Sequence, residues 1–383
     1  IRSYRVFMSN PAIWLISGLT LTDFLPMAME SLTLREALIA LAAGHLALTN
    51  QSYKLLALEA RSKALRSLAN HVVAPHGDTH QVEAKVAACL TFVIDDIGVA
   101  TGEDWLTHMK AACHLIRSAE ITTSSGKVLK GTEAFRTTAE GRWILRNFAY
   151  HDILGSVTSQ QPPLLNASYL IDIADVVDSC TGLATELLAM AATVGRIEQE
   201  LHLSKGSTRQ IESRFLSDCA GLEQRLKDWR CRDEAPTELA AVAYAYRSAV
   251  LIVLYRAMRN QAHSNRRKDT SDTSHVRSFV FLPETCSNQV AEIVDHISKI
   301  PVDSTSESPL LFPLFLAGSE ASEPGDIAVI RYRLQKLWER RQFRNISRAI
   351  TVLESLWHRR RMDEPDLDWA CLTSPLGEGL LLT

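Results

Sequence analysis

Apolar residues recur at helical spacing through almost the whole of this sequence, and no other feature limits its possible folds so strongly. Ile346, Ala349, Ile350, Leu353 and Trp357 are spaced to share one face of a helix. Leu34, Leu38, Leu41, His45 and Leu48 form a second stripe, behind Thr33 and Glu36 at the S/T-x-x-E spacing of a capping box. Trp105, Met109, Ala112, Cys113 and Ile116 form a third, and Ile330, Leu334, Leu337 and Trp338 a fourth. Further helices are expected near residues 53–71, 81–94, 142–157, 170–177, 183–202, 208–230, 237–260 and 285–299. Polar stretches at Ala262–His275 and Val302–Ser308, and breaks at Pro75, Gly77, Pro162 and Pro163, read as loops. No segment shows convincing strand alternation, and nothing repeats at a fixed period, which argues against a solenoid. Only 17 glycines and 13 prolines occur in 383 residues, fewer than sheets joined by tight turns require. The expectation is all-α: residues 1–383 as one domain, a single large bundle of about a dozen helices with no significant sheet.

Composition narrows the function. Hydrophobic residues make up 46% and charged residues 22%, ample for a core, so the chain is not read as disordered. A net charge of −3 offers no basic excess with which to grip phosphates, so DNA contact is expected only through a separate segment. The cysteines at 89, 113, 180, 219, 231, 286 and 371 are scattered, odd in number and without C-x-x-C spacing. Reduced, mostly buried thiols are expected. The most apolar stretch, Glu238–Tyr255, is interrupted by Arg247 and reads as a buried helix too short to span a bilayer, so no membrane association is expected. The chain begins at Ile1 with no signal-like apolar segment, and reads as a fragment or processed product without a secretory leader.

Asp95 and Asp96 close an apolar helix, as do the carboxylates that hold magnesium in terpene synthases. The DDxxD pattern needs an acid where Val99 stands, and no second magnesium motif follows, so a solvated helix end is expected. His71, His76, Asp78 and His80 crowd a Pro/Gly-bearing segment, but their spacing fits no zinc template and an exposed loop is the reading. His45, on an apolar face, is expected to be a core histidine bonded to a backbone carbonyl. There is no G-x-S-x-G elbow, phosphate loop or dinucleotide fingerprint, and Gly377-Glu378-Gly379 has no helix behind it. Arg266-Arg267-Lys268 and Arg359-Arg360-Arg361 read as solvated loop charge, not as nucleic-acid contacts or an import signal. Asn166-Ala167-Ser168 matches a glycosylation acceptor, which means little without a secretory signal. No catalytic, metal-binding or cofactor-binding residue is assigned, and ligand-binding residues are left unknown.

Several stretches carry a family likeness. Pro26–Ala47 (PMAMESLTLREALIALAAGHLA) resembles the opening helices of the fungal-specific transcription factor regulatory domain. In Trp105–Ile116, Trp105, His108 and Ala112 fall on that family's W-x-x-H-x-x-G-A pattern, with Ala111 in place of its glycine, a change that should stiffen the helix. Leu311–Glu320 (LFPLFLAGSE), then Arg331, Asn345 and Leu353–Trp357, look like its closing signature, and Asp178–Leu183 is a looser match. The likeness covers nearly the whole chain in order. It implies the regulatory half of a nuclear regulator of RNA polymerase II transcription, not an enzyme. The six-cysteine zinc cluster that reads DNA in such proteins is missing here, so zinc is expected only in that absent segment. In relatives similar to the yeast sterol-sensing regulators this domain binds a hydrophobic metabolite. The implied partners are therefore a hydrophobic small-molecule effector, transcriptional co-regulators and a second copy in a homodimer. Trp105, Phe312, Phe315 and Trp357 are expected to pack in the core, and the Leu310–Leu316 block to lie near a cleft, with mobile loops after Gly318 and around Arg266. A ligand-free helical scaffold and a terpene-synthase-like enzyme remain the rival readings.

Overall fold

The computed structural model describes residues 21–72, 79–99, 104–178, 180–203, 208–268, 282–362, 364, 367–373 and 380–383. The first half supplies α1 (Leu21–Glu30), α2 (Leu32–Thr49), α3 (Lys54–Val72), α4 (Thr79–Gly98) and α5 (Trp105–Ser118). A short hairpin, β1 (Glu120–Thr122) and β2 (Val128–Lys130), then leads into α6 (Thr132–Phe135) and α7 (Ala139–Ser159). The second half supplies α8 (Thr185–Leu203), α9 (Thr208–Asp228), α10 (Thr237–Lys268), α11 (Leu282–Ser298) and α12 (Leu311–Glu320). α13 (Pro324–Arg341), α14 (Arg344–Met362) and α15 (Ala370–Thr373) follow, with 3-10 turns at Ala167–Ile173 and Thr305–Leu310. The fold is all-α, as the periodicity predicts.

Helix α10 sets the centre. Between Ala241 and Ala257 all residues but the half-buried Tyr244, Arg247 and Val253 are buried, with Val242, Tyr246, Ala249, Val250, Ile252 and Leu254 fully enclosed. A helix apolar all round belongs inside a protein, and α8, α9, α11 and α12 pack around this one. In the first half α2 lies against α3 and α4, α4 against α5, and α7 joins α4 to α8. Two stretches, Leu32–Thr49 and Thr237–Ala262, are long and apolar enough to cross a membrane by length and composition, and both are mostly buried against neighbouring helices. The second runs longer than the Glu238–Tyr255 block read from sequence.

The closing signature is a packing device. Trp357 Nε1 donates to the Gly318 carbonyl at 2.8 Å. A Cβ on Gly318 would stand 2.8 Å from Leu353, so glycine lets α14 close onto α12. Arg331 stacks over the Trp357 ring and pairs with Glu354. Asn345 donates Nδ2 to the carbonyls of Leu381 and Thr383, at 3.3 and 2.7 Å, and so tethers the buried Leu381 and Leu382.

Several local readings change. The cap of α2 is Ser31, whose hydroxyl accepts from Leu34 N, whereas Thr33 bonds Ser67 and Glu36 pairs with Lys63. The S/T-x-x-E spacing there is coincidental, because Thr33 and Glu36 lie inside the helix and face α3. Ala262–Lys268 continues α10 as helix, and residues 269–275 lie outside the described residues. The 170–177 helix is the 3-10 turn Ala167–Ile173, and another turn occupies part of the Val302–Ser308 loop. Arg359–Arg361 occupy the last turn of α14, where cations meet the helix dipole. There Arg359 pairs with Glu364, and Arg360 donates to the carbonyls of Ser319 and Leu367. The hairpin escapes a periodicity reading because each strand has three residues. Cys89, Cys113, Cys180, Cys219, Cys231 and Cys286 are buried free thiols, and Cys371 is an exposed one.

Candidate functional site

A cleft of about 540 Å³ opens between α2, α3 and α4, within the size range of small-molecule sites. Its apolar wall comes from Ala40, Ala47 and Leu48 of α2, Ala57 and Leu58 of α3, and Val99 beyond α4. Gly44 makes the close approach possible. A Cβ there would fall 2.7 Å from Val99 Cγ1 and 3.2 Å from Asp95 Oδ1. Exposed Gln51, Lys54, Asp104 and Arg344 supply its outer polar groups.

The inner end of the cleft is charged. Arg61, reaching from α3, donates Nη1 to Asp95 and Nη2 to Asp96 on α4. The Asp95 and Asp96 side chains are 5% and 0% exposed. This overturns the solvated helix end: the apolar run of α4 continues past both acids to Ile97, so the helix carries them into the interior. Burial raises the pKa of Asp96, opposed by the charge and hydrogen bond of Arg61. One oxygen of each acid is spent on Arg61, so the two carboxylates belong to a salt-bridged cluster, not to an open magnesium cradle.

His108, the histidine of the W-x-x-H pattern, stacks on Phe92 with centroids 5.1 Å apart. Arg61 lies 5.7 Å from the same ring. His108 Nε2 stands 3.5 Å from Asp96 Oδ2, an ion-pair distance, but burial and the nearby Arg61 push the imidazole down to about 4. The ring is neutral at pH 7, so the contact is not an ion pair. This yields a pH test. The unfolded histidine titrates near 6.5, so folding excludes its proton, and stability is lost as pH falls from about 6.5 toward 4. Relative to His108→Phe, which keeps a ring against Phe92, the unsubstituted chain should lose about 2 kcal/mol between pH 7 and 5. Urea unfolding of both proteins at the two pH values checks it, and parallel changes would refute it.

His45 behaves as its position predicts: buried on α2, it places Nε2 3.2 Å from the Arg341 carbonyl, and burial lowers its pKa. Trp105, Phe312, Phe315 and Trp357 are all buried. The Leu310–Leu316 block is buried in the core and lines neither of the two clefts described here. Phe312 and Phe315 are fully enclosed, and Gly318 sits within α12, with the loop after it confined to residues 321–323. Of the histidine group, His80 is exposed beside Glu83, and His76, Asp78 and the His71 side chain lie outside the described residues. Among the described residues no three His, Cys, Asp or Glu side chains gather as metal ligands. Gly377–Gly379 and the side chains of Arg266–Lys268 also lie outside them.

A second cleft, about 640 Å³, is lined by Trp105, Lys110, Asp152, Ser156, Gln160 and Leu380. Asp152 is occupied structurally. Burial raises it to about 6, and its oxygens accept from the backbone N–H groups of Leu164 and Leu165.

Arg61 carried no sequence signal, being 34 positions from Asp95. The acids themselves did, because apolar Ile97 follows them on the same helix.

Comparison with known proteins gives one family. The model of the fungal specific transcription factor domain matches residues 14–383. No curated protein and no solved structure matches the chain.

Proposed function

Because the chain belongs to the fungal specific transcription factor domain family, a family with a transcription-regulatory role, we propose that it is the effector-sensing part of a nuclear zinc-cluster regulator. DNA is then read by a zinc-cluster segment outside this chain. The cleft between α2, α3 and α4 receives a small amphipathic effector. Its apolar body lies on Ala40, Ala47, Ala57, Leu58 and Val99, and its polar end meets Arg61 and Asp95. The observation behind this reading is an apolar cleft of ligand size that ends on a buried ion pair. An effector switches such a domain only by binding one arrangement more tightly than another. α3 is the element it moves, since the Arg61 contacts and the face on α2 hold that helix.

The test uses 1-anilinonaphthalene-8-sulfonate, an amphipathic fluorescent probe. It should bind the chain saturably, and Ala47→Phe, which fills the cleft, should weaken binding at least tenfold without lowering the melting temperature. Unchanged binding by that variant would sink the assignment. A second reading has its own support: α3 exposes Leu55 and Leu58, at 68% and 58%, an apolar edge suited to a co-regulator.

A further inference from the structure

The chain that follows α7 leaves the carbonyl end of that helix uncapped. Gln160 and Gln161 both turn their backbone N–H groups to the Ser156 carbonyl. Pro162 and Pro163 have no N–H to give, and Leu164 and Leu165 give theirs to Asp152. Among the described residues, no hydrogen bond reaches the last three carbonyls of the helix, those of Val157, Thr158 and Ser159. A helix end usually meets a capping donor or a basic side chain of its own, and α7 has no basic residue in its last turn.

This end of α7 forms one wall of the second cleft, a space of about 640 Å³ that α5 and α15 close from the other sides. The hydroxyls along it face the same shortage of donors. Ser156 Oγ donates to the Ile153 carbonyl at 2.7 Å, and Ser159 Oγ and Thr158 Oγ1 donate to that of Gly155 at 2.8 and 3.1 Å. Thr373, also on the lining, donates to the Ala370 carbonyl at 3.1 Å. A hydroxyl has one proton, so with that proton spent on backbone each of these four oxygens can only accept. Asp152 lines the cleft too, and each of its oxygens accepts one backbone N–H and keeps a lone pair free. The side-chain amides of Gln160 and Gln161 can present either end. Lys110 is the one cation on the lining; it is exposed and makes no ion pair or side-chain hydrogen bond with any described residue.

We propose that this second cleft binds a small organic cation, a protonated amine on a short apolar body. An ammonium group donates three hydrogen bonds and accepts none, which matches a wall of acceptors. The negative end of the α7 dipole favours its charge. Leu106, Leu164 and Leu380 offer the apolar surface for its body. An anion would bring lone pairs against lone pairs. The site shares no lining residue with the α2–α3–α4 cleft and does not depend on the effector proposed there.

The test uses benzylamine as the probe, with benzyl alcohol and benzoate as its neutral and anionic counterparts. Each is titrated into the full chain by calorimetry at pH 7 and constant ionic strength. Benzylamine should bind about tenfold more tightly than benzyl alcohol, and benzoate more weakly than either. Lys110→Glu, a change at an exposed residue, removes a competing cation. It should tighten benzylamine about threefold and leave benzyl alcohol unchanged. Ala47→Phe, which fills the other cleft, should leave benzylamine binding intact. Benzylamine binding no tighter than benzyl alcohol would overturn the assignment without any variant. So would weaker binding to Lys110→Glu, the mark of a ligand that Lys110 itself holds, or loss of binding in Ala47→Phe, which would put the amine in the other cleft.

Discussion

Arg61→Ala should destabilise the domain by about 3–5 kcal/mol at pH 7, since removing one partner of a buried ion pair strands the other charge. Here two charges are stranded. Asp95 and Asp96 are adjacent, nearly inaccessible and both bonded to this one guanidinium. Alanine leaves them as like charges in a low-dielectric setting. Burial already raises Asp96, and losing the cation that opposes this raises it further. The sign of the pH dependence follows. A carboxyl with a raised folded pKa binds its proton more tightly folded than unfolded, so lowering the pH toward 5 should restore part of the lost stability. Urea unfolding at pH 7 and pH 5 measures both effects. Adding Asp96→Asn to Arg61→Ala should recover stability at pH 7, because it removes one stranded charge. A deficit equal at both pH values and untouched by Asp96→Asn would show that the carboxylates are not stranded as argued.

Trp369→Ala should cost about 3–5 kcal/mol, the range for truncating a buried tryptophan. Trp369 is 1% exposed and meets Phe315 edge-on, with ring centroids 5.2 Å apart. Arg256 lies 5.1 Å from the same ring and donates to Asp368, while Glu320 bonds both Arg256 and Arg259. Arg360 holds the carbonyl of Leu367 from the other direction. The indole is thus the apolar peg of a charged fastening that docks residues 367–373 on α10 and α12. Its loss should raise amide exchange first in that segment and in the last turn of α12, measurable by hydrogen-exchange mass spectrometry. Trp369→Phe should cost much less, because it keeps the ring contact and removes an indole N–H that has no partner. Exchange rising evenly across the chain would contradict a local fastening.

What could be read from the sequence followed the range of the interaction. Helix identity is local, and the stripes at Leu34–Leu48 and Ile346–Trp357 fold as their spacing predicts. Polar appearance misled where charge is satisfied across the structure. Asp95 and Asp96 look like a wet helix end until Arg61 is placed beside them. Arg360 looks like loop charge until Ser319 offers its carbonyl. Ala262–Lys268 looks like a loop because its residues are polar, yet helix propensity and the long run of α10 carry the helix through. The cleft had no linear signature, because alanines and a glycine on two helices and an acid from a third make it. Aromatic residues at Leu310–Leu316 pointed instead to fully buried core.

His45 on α2 is fastened to the carbonyl of a residue 296 positions later, and Asn345 and His151 hold Thr383 across 38 and 232 positions. Deletion mapping will therefore mislead in this chain. Trimming from either side removes a strut that the opposite half needs, so a truncation series will record the collapse of the whole body, whichever segment carries regulation. Point substitutions at the cleft, with folding verified for each, are the experiments that separate regulation from architecture.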